Sequence, residues 1–306
     1  MEPAQRSLPL GLVPPVVTKF TGLDSAPIVS WELTAGPADL VAIAQRADAL
    51  GFSHITCSAH IALTQAYAAT NGSTWWDPAA TFGYLAALTE RIRFATHVLV
   101  LGLHHPLEIA KRYGTVDMIS GGRLILGVGL GASTEELELF GVPLTERVAR
   151  DEEQIRALRA IASKPLAATY NGAYFKFTDQ VVDPCVTVDT PIWIGGRTYK
   201  SLIRAIKLGD GWTPARLTPD ELGVMLKQAA ETPEWEARAK PLEVITQPER
   251  PVDPMGNPEA TAKMFQSLHD AGASLVNLRV VHRSLAHYLE QMEAAGKMVE
   301  AMNWRR

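Results

Sequence analysis

The sequence predicts a closed (β/α)8 barrel, the TIM-barrel fold, with one β-hairpin inserted after the fourth strand. Short apolar segments alternate eight times with segments that carry helix signals, which indicates a parallel sheet with right-handed crossovers. The length of 306 residues suits such a barrel. We therefore expect residues 1–306 to form a single domain with an insertion at about 164–190. The competing fold is an open, doubly wound sheet.

The predicted strands are short runs of apolar and β-forming residues. Strand one ends in a double proline, and strand four follows a pair of glycines that turns the chain. In chain order, the predicted strands are residues 10–13, 54–57, 91–101, 124–129, 191–194, 211–212, 242–246 and 275–281.

The predicted helices carry apolar residues at spacings of three and four. Asp77 followed by Pro78 is a typical start, because aspartate caps the free N–H groups and proline suits the first turn. In chain order, the helices are predicted over 39–50, from 77, from 106, over 145–162, over 198–208, from 218, over 258–271 and over 284–301.

The alternation stops between the fourth and fifth strands. Asn171 and Gly172 lie between apolar and aromatic residues there, and Asn-Gly is the commonest centre of a two-residue hairpin turn. We therefore predict an inserted hairpin that turns at these two residues.

Composition excludes several classes of protein. The 29 basic and 33 acidic residues give a net charge of −4, so we expect neither nucleic acid nor a membrane as partner. Two cysteines, Cys57 and Cys185, cannot make a disulfide scaffold and fit a reducing cytoplasm. We see no signal peptide and no apolar run long enough to span a membrane. The expected protein is cytoplasmic and acts on a small molecule.

Active sites of such barrels lie where the strands end. His60 follows strand two, where a histidine either moves a proton near neutral pH or bonds the backbone of its loop. His97 lies inside strand three, which favours a satisfied core histidine. His282 follows strand eight. The histidines show neither a His-x-His pair at a strand end nor an HExxH motif, so no metal is expected.

Glycines follow strands four and five. Gly195, Gly196 and Arg197 precede a helix, where free N–H groups and a guanidinium suit a phosphate, although an ordinary tight turn has the same sequence. The glycine-rich run over 127–131 lacks the spacing of a dinucleotide fingerprint. We expect these bare glycines to leave room for a flat ligand.

The loop after strand two is rich in aromatic residues. Tyr67, Trp75 and Trp76 either form the wall of an apolar pocket or pack beneath the loop. A glycosidase barrel is disfavoured, because its two carboxylates would have to come from Glu135 or Glu136 with Glu249, whose placement is too loose.

Several segments together resemble the bacterial luciferase-like monooxygenase superfamily, and more closely its members that use the deazaflavin coenzyme F420. The combination of Ser-Gly-Gly-Arg over 120–123 with Ile-Trp-Ile-Gly-Gly over 192–196 is the most specific part. The matching segments, within about residues 35–215, are 49–52, 89–96, 105–107, 119–129, 135–136, 140–143, 191–196 and 209–212.

This resemblance implies a coenzyme over the mouth of the barrel. It implies a bulge in strand three that supports the coenzyme ring, with a cis peptide at His97–Val98. It also implies a role for His60 in positioning or protonation, with Tyr67, Trp75 and Trp76 as substrate walls. The residues implied in coenzyme binding are Ser58, Thr96, His97, Val98, Gly129, Leu130, Gly131, Gly195, Gly196 and Arg197.

Two departures from the family pattern affect these roles. His97 stands where the family has a small residue, so it changes the ring contacts or fills substrate space. Ala59 stands where the family has an acidic residue before the histidine of strand two. An acidic partner would orient the ring of His60, and its loss favours ring positioning over proton transfer.

The predicted function is a coenzyme F420-dependent oxidoreductase that transfers a hydride between the deazaflavin and a small organic substrate. Two alternatives remain. One is an FMN-dependent monooxygenase supplied with reduced flavin by a separate reductase, and the other is a flavin-binding barrel without turnover. The resemblance also implies a homodimer.

Overall fold

The computed structural model describes residues 8–18 and 30–302 and contains a closed, parallel, eight-stranded barrel, which confirms the predicted fold. The third stave consists of two short strands, β3 and β4, and the ring closes because β1 pairs with both β2 and β11. In chain order the strands are β1 (Leu10–Leu12), β2 (His54–Cys57), β3 (Arg93–Thr96), β4 (Leu99–Val100), β5 (Leu124–Gly129), β6 (Ala168–Asn171), β7 (Lys176–Gln180), β8 (Ile192–Gly195), β9 (Gly211–Thr213), β10 (Glu243–Thr246) and β11 (Leu275–Leu278).

Helices surround this barrel. Proline occupies the first turn of helices that begin at Pro78, Pro106, Pro219 and Pro258, as predicted, because its fixed φ suits that position. The helices are α1 (Ser30–Thr34), α2 (Pro37–Ala49), α3 (Gln65–Asn71), α4 (Pro78–Ala86), α5 (Pro106–Ser120), α6 (Thr134–Leu139), α7 (Arg147–Ser163), α8 (Tyr199–Leu208), α9 (Pro219–Ala230), α10 (Pro233–Glu236), α11 (Pro258–Asp270) and α12 (Leu285–Ala301). None of the helices described is long and apolar enough to cross a membrane.

The strands bury side chains on both faces. All six residues of β5 are buried, as expected for a parallel strand between a barrel interior and a layer of helices. One apolar cluster fills the space between strands and helices. A second, separate cluster takes one side chain from each of five strands and fills the barrel interior: Ala95, Ile125, Trp193, Ile245 and Leu275.

Strand three is interrupted rather than continuous over 91–101. Ala95 pairs with Ile125 and Leu99 with Val128, so strand three takes four steps where β5 takes three. One extra residue in one strand is a β-bulge, which bends the strand. The peptide between His97 and Val98 is cis, as the resemblance implied.

The inserted hairpin is present, but its turn lies two residues later than predicted. The strands β6 and β7 pair as far as Asn171 and Lys176, so Asn171 and Gly172 are not the centre of the turn. The physical reason is Glu153 on α7, whose carboxylate accepts the backbone N–H groups of residues 173–175 at 2.8–2.9 Å. These hydrogen bonds tie the turn to the helix layer and override the local preference of Asn-Gly.

Candidate functional site

A cavity of about 250 Å³ opens at the ends of the strands, where barrel active sites lie. Its lining residues follow β1, β2, β9, β10 and β11, or lie in the bulge between β3 and β4. They are Val13, Ser58, His97, Pro214, Ala215, Arg216, Gln247, Pro248, Glu249 and Arg279. The lining therefore includes two of the predicted coenzyme residues, Ser58 and His97.

His97 reaches across the mouth of the barrel. Its Nε2 lies 2.9 Å from the hydroxyl of Thr213 on β9, and two strands, β5 and β8, separate β9 from the bulge. The hydroxyl of Ser58 donates to the His97 carbonyl at 3.0 Å. Burial lowers the pKa of His97 to about 4, so its imidazole is neutral at pH 7. His97 is thus a satisfied histidine that also forms part of the cavity wall.

The glycines around the bulge make room for the protein itself. A Cβ atom on Gly129 would lie 2.6 Å from Val98 Cγ2, and one on Gly195 would lie 3.1 Å from Val98 Cγ1. On Gly127 it would lie 1.9 Å from the Thr96 carbonyl oxygen. Glycines 127–131 were predicted to leave room for a ligand. In the structure, the space beside Gly127 and Gly129 is taken by the Thr96 carbonyl and the Val98 side chain. Thr96 is fully buried and its hydroxyl donates to the Gly127 carbonyl, so it supports the bulge from behind.

The remaining coenzyme candidates lie at two turns after β5 and β8. Gly131 has φ of +81° and Gly196 of +134°, conformations that favour glycine, and Leu130 is half-buried. Arg197 is exposed beside the start of α8, which Thr198 caps.

Two arginines lie on the cavity wall: Arg216, which follows predicted strand six, and Arg279, which was not predicted as a site residue. Arg216 has a left-handed backbone, with φ of +56°, and Arg279 donates to the Glu249 carbonyl at 2.8 Å. Arg279 lies within the strand predicted over 275–281, and only the closed barrel shows that this end of the strand meets the cavity.

His60, Tyr67 and Trp75 form one cluster on the loop that leaves Ser58. The Trp75 and His60 rings meet in a T-shaped arrangement with 4.5 Å between their centroids, and the Tyr67 ring lies at 5.7 Å. Trp76 is placed differently: its side chain packs against the core, and its backbone N–H donates to the Val17 carbonyl at 3.0 Å. Trp76 therefore lies beneath the loop, whereas the other aromatic rings surround the histidine.

A buried carboxylate from the segment after β5 contacts the His60 ring. Glu136 on α6, with a side chain only 3% exposed, places Oε2 at 2.7 Å from His60 Nδ1. Its Oε1 accepts the N–H groups of Ile61 at 2.7 Å and Ala62 at 3.2 Å. Burial raises the pKa of Glu136, but the hydrogen bonds from His60, Ile61 and Ala62 outweigh burial and leave the pKa below its ordinary value.

Sequence reasoning missed this pairing. Glu136 belongs to a segment that carries the family resemblance, yet nothing in the sequence connects it to a histidine 76 positions earlier. It supplies the acidic partner that Ala59 does not.

A second histidine near the mouth, His282, also meets a carboxylate and an indole. The Trp31 indole N–H donates to His282 Nδ1 at 3.2 Å, and Nε2 lies 3.3 Å from Glu32 Oε1. Burial, followed by the nearby His287, lowers the pKa of His282 to about 4.

The cavity fits a flat heterocycle with carbonyl and N–H groups on its edge. Val13, Pro214 and Pro248 would supply apolar surface for such a ring. The Ser58 oxygen, whose proton goes to the His97 carbonyl, can accept a hydrogen bond, and Nδ1 of neutral His97, whose Nε2 contacts Thr213, can donate or accept one according to its tautomer. A flavin or deazaflavin ring has this chemistry.

A family model described as luciferase-like monooxygenase matches residues 18–248. The chain belongs to this family. Among curated relatives of this luciferase-like protein is an F420-dependent glucose-6-phosphate dehydrogenase from Beutenbergia cavernae, 32% identical over 182 residues, which are 58% of this chain and 52% of the relative. The chain spans about half the length of the curated relatives it matches.

Solved structures share the fold of this luciferase-like protein. An F420-dependent secondary alcohol dehydrogenase in complex with an F420–acetone adduct has a TM-score of 0.75 at 15% identity, covering 96% of this chain and 99% of its own. The oxygenating constituent of a Baeyer-Villiger monooxygenase from Pseudomonas putida, in complex with FMN, has a TM-score of 0.71 at 15% identity, covering 96% and 98%.

Proposed function

We propose that this luciferase-like protein is an oxidoreductase that uses coenzyme F420 to move a hydride to or from a small organic substrate. The observation that carries the proposal is the 32% identity to an F420-dependent dehydrogenase. The likeness to an FMN-bound monooxygenase, in contrast, comes with 15% identity and concerns the fold. Because both relatives share the barrel fold, the higher sequence identity is what supports F420 over FMN in this proposal.

A bound deazaflavin would supply the hydride chemistry, and the chain would supply orientation and a dry pocket. In the proposal, Ser58 and His97 hold the polar edge of the ring, with the apolar wall of the cavity against its faces. Because His97 is neutral at pH 7, it adds no charge beside the transferred hydride.

The coenzyme tail is proposed to leave the cavity towards the turns after β5 and β8. Leu130 and Gly131 would line its edge, and Gly196 with Arg197 would bind its phosphate at the start of α8. His60 is proposed to hold or move the proton on the substrate oxygen, with Tyr67 and Trp75 as the adjacent wall.

A second candidate is an FMN-dependent monooxygenase, favoured by the FMN-bound structure that shares the fold over 96% of this chain. Titration of the purified protein with F420 and, separately, with FMN distinguishes the two. We expect F420 to bind at least about tenfold more tightly, a difference of about 1.4 kcal/mol. Tight FMN binding without F420 binding would overturn the first proposal and support the second.

A matched pair of variants tests the phosphate site. Arg197→Ala is expected to weaken F420 binding by about tenfold, the usual effect of losing a hydrogen bond to a charged group. Lys200→Ala removes the same charge from the exposed start of the same helix and should leave binding unchanged. Equal effects of both variants would show a nonspecific electrostatic contribution instead of a phosphate contact.

Turnover separates an enzyme from a barrel that only binds the coenzyme. Oxidised F420 is mixed with the protein and a panel of secondary alcohols, and reduced F420 with ketones and enones, while the deazaflavin absorbance is followed. Protein-dependent loss or recovery of that absorbance supports an oxidoreductase. Tight coenzyme binding with no change across both panels would favour the non-catalytic alternative.

A further inference from the structure

We propose that Glu136 fixes His60 in the tautomer protonated at Nδ1, so that Nε2 is the atom at which His60 exchanges a proton with the substrate. Glu136 is thereby a positioning residue that acts through His60. The substrate part of this inference rests on the proposed function, whereas the tautomer is a property of the chain alone.

Glu136 carries a negative charge in the folded chain. Its pKa lies below the ordinary value in spite of burial, so the carboxylate is ionised at neutral pH. An ionised carboxylate only accepts hydrogen bonds. Oε1 receives the N–H groups of Ile61 and Ala62, and Oε2 lies 2.7 Å from His60 Nδ1. Nδ1 must therefore carry the proton.

The other ring nitrogen of His60, Nε2, carries no proton in this tautomer. A neutral ring with a proton on Nδ1 has a lone pair on Nε2. Among residues 8–18 and 30–302, no hydrogen bond to Nε2 of His60 is found. The Glu136 contact and the Trp75 ring hold the ring in place, and the side chain is 12% exposed. Nε2 is thus the nitrogen that remains for a ligand.

His282 shows the opposite assignment of its two ring nitrogens. Trp31 donates to Nδ1 of that ring, so its proton lies on Nε2 and faces Glu32. The two histidines therefore hold opposite tautomers, and in His282 both nitrogens already have protein partners.

The resulting proton step is simple. In alcohol oxidation, Nε2 would accept the hydroxyl proton, a bound deazaflavin would accept the hydride from the substrate carbon, and the substrate would be left as a carbonyl compound. The His60 ring becomes an imidazolium whose other N–H still donates to the ionised Glu136, which stabilises the new charge. Ketone reduction returns the same proton from Nε2.

The test is a long-range ¹H–¹⁵N correlation spectrum of the full chain with ¹⁵N-labelled histidine, with His60 assigned by its loss in His60→Asn. We expect a protonated Nδ1 and an unprotonated Nε2 for His60, and the reverse for His282. A wild-type spectrum with the proton on Nε2 of His60 overturns the proposal, and no variant has to fold for this result.

Glu136→Gln then tests the cause. Its amide oxygen can still accept the N–H groups of Ile61 and Ala62, but its NH₂ group then faces Nδ1 and removes the acceptor. We expect His60 to shift to the other tautomer and turnover with F420 to fall by about 100-fold, with coenzyme affinity unchanged. Glu32→Gln is the matched control, because it alters the carboxylate of His282 and should leave the His60 signals unchanged.

The outcomes separate the two proposals. An unchanged His60 tautomer in Glu136→Gln would overturn the role of Glu136, whatever the coenzyme. Failure of F420 to bind would overturn the proposed function and leave the tautomer result standing. Turnover that persists in Glu136→Gln after the tautomer has changed would overturn Nε2 as the exchanging atom.

Discussion

His60 and His282 flank the same barrel mouth with the same chemical parts but in opposite orientations. Each follows a strand and meets a buried carboxylate, Glu136 or Glu32. In the first cluster the carboxylate contacts Nδ1, and in the second it contacts Nε2, while the Trp31 indole occupies the other nitrogen. Among the described residues, Nε2 of the first ring has no hydrogen-bond partner, whereas both nitrogens of the second ring contact protein groups.

A histidine at a strand end thus acquires its role from its hydrogen-bond partners. Residue type and position suit both rings for proton transfer. Only the assignment of each ring nitrogen to a partner separates a group that can exchange a proton from one that holds a loop in place.

The largest expected effect is on turnover. His60→Asn should lower turnover with F420 by about 100-fold or more, because a positioned proton donor and acceptor contributes about that much. His282→Asn should change turnover little, since its ring nitrogens already face Trp31 and Glu32. Steady-state kinetics of both variants, at equal saturation with coenzyme, measure this. Equal losses in the two variants would break the distinction between the clusters.

The next effect is on stability, and here we expect the His282 cluster to contribute more than its effect on turnover suggests. Replacing His282 with phenylalanine leaves the Trp31 N–H and the Glu32 carboxylate without their imidazole partner, which should cost about 1–3 kcal/mol of unfolding free energy. Denaturant unfolding of wild type and variant gives the difference. Wild-type stability in His282→Phe would show that this cluster contributes no net stabilisation.

As the pH falls, the free energy of unfolding should change first through His282 and only at lower pH through Glu136. The pKa of His282 is about 4 in the folded chain and near 6.5 in the unfolded chain. Between these pH values the unfolded state therefore binds more protons. For this group, the effect on stability is therefore most favourable above pH 6.5 and becomes less so as the pH decreases towards 4. Glu136 has a lowered pKa, so its contribution is lost only as the pH falls below about 4.5.

Unfolding measured at several pH values tests this order. His282→Gln should flatten the dependence between pH 6.5 and 4 by up to one proton, about 1.4 kcal/mol per pH unit. Glu136→Gln should leave that interval unchanged and alter the dependence at lower pH. A His282→Gln slope equal to that of wild type would contradict the assignment.

The smallest effect concerns the indoles. Trp31→Phe removes the N–H that donates to His282 Nδ1 and should cost about 1 kcal/mol beyond the packing change. Trp75→Phe is the matched comparison, because the Trp75 N–H donates to the Gly72 carbonyl and not to His60. Histidine ¹⁵N spectra should show a change at His282 in the first variant and an unchanged His60 tautomer in the second.

Much of the fold was predictable because its signals are local. Apolar periodicity, capping residues and helix-starting prolines such as Pro106 act within a few positions, and the structure places those elements as predicted. The hairpin turn was the exception. Three hydrogen bonds to Glu153, which is about twenty positions away, outweighed the Asn171-Gly172 preference.

Sequence position indicated some residues of the candidate site but not their partners. Ser58 and His97 meet at the cavity, and His60 forms a cluster with Tyr67 and Trp75 from the loop after strand two. The glycines after β5 were interpreted as space for a ligand, although the bulge of strand three fills that space. A close approach between two strands leaves no trace in either strand alone.

The barrel, the place of its insertion and the strand ends where chemistry can occur are encoded in short-range patterns and follow from right-handed crossovers. Which nitrogen of each histidine contacts a carboxylate depends on long-range contacts. The contacts that decide this join residues 76 positions apart in one cluster and 251 in the other. Closure of the barrel brings those residues together, and no local pattern encodes their pairing.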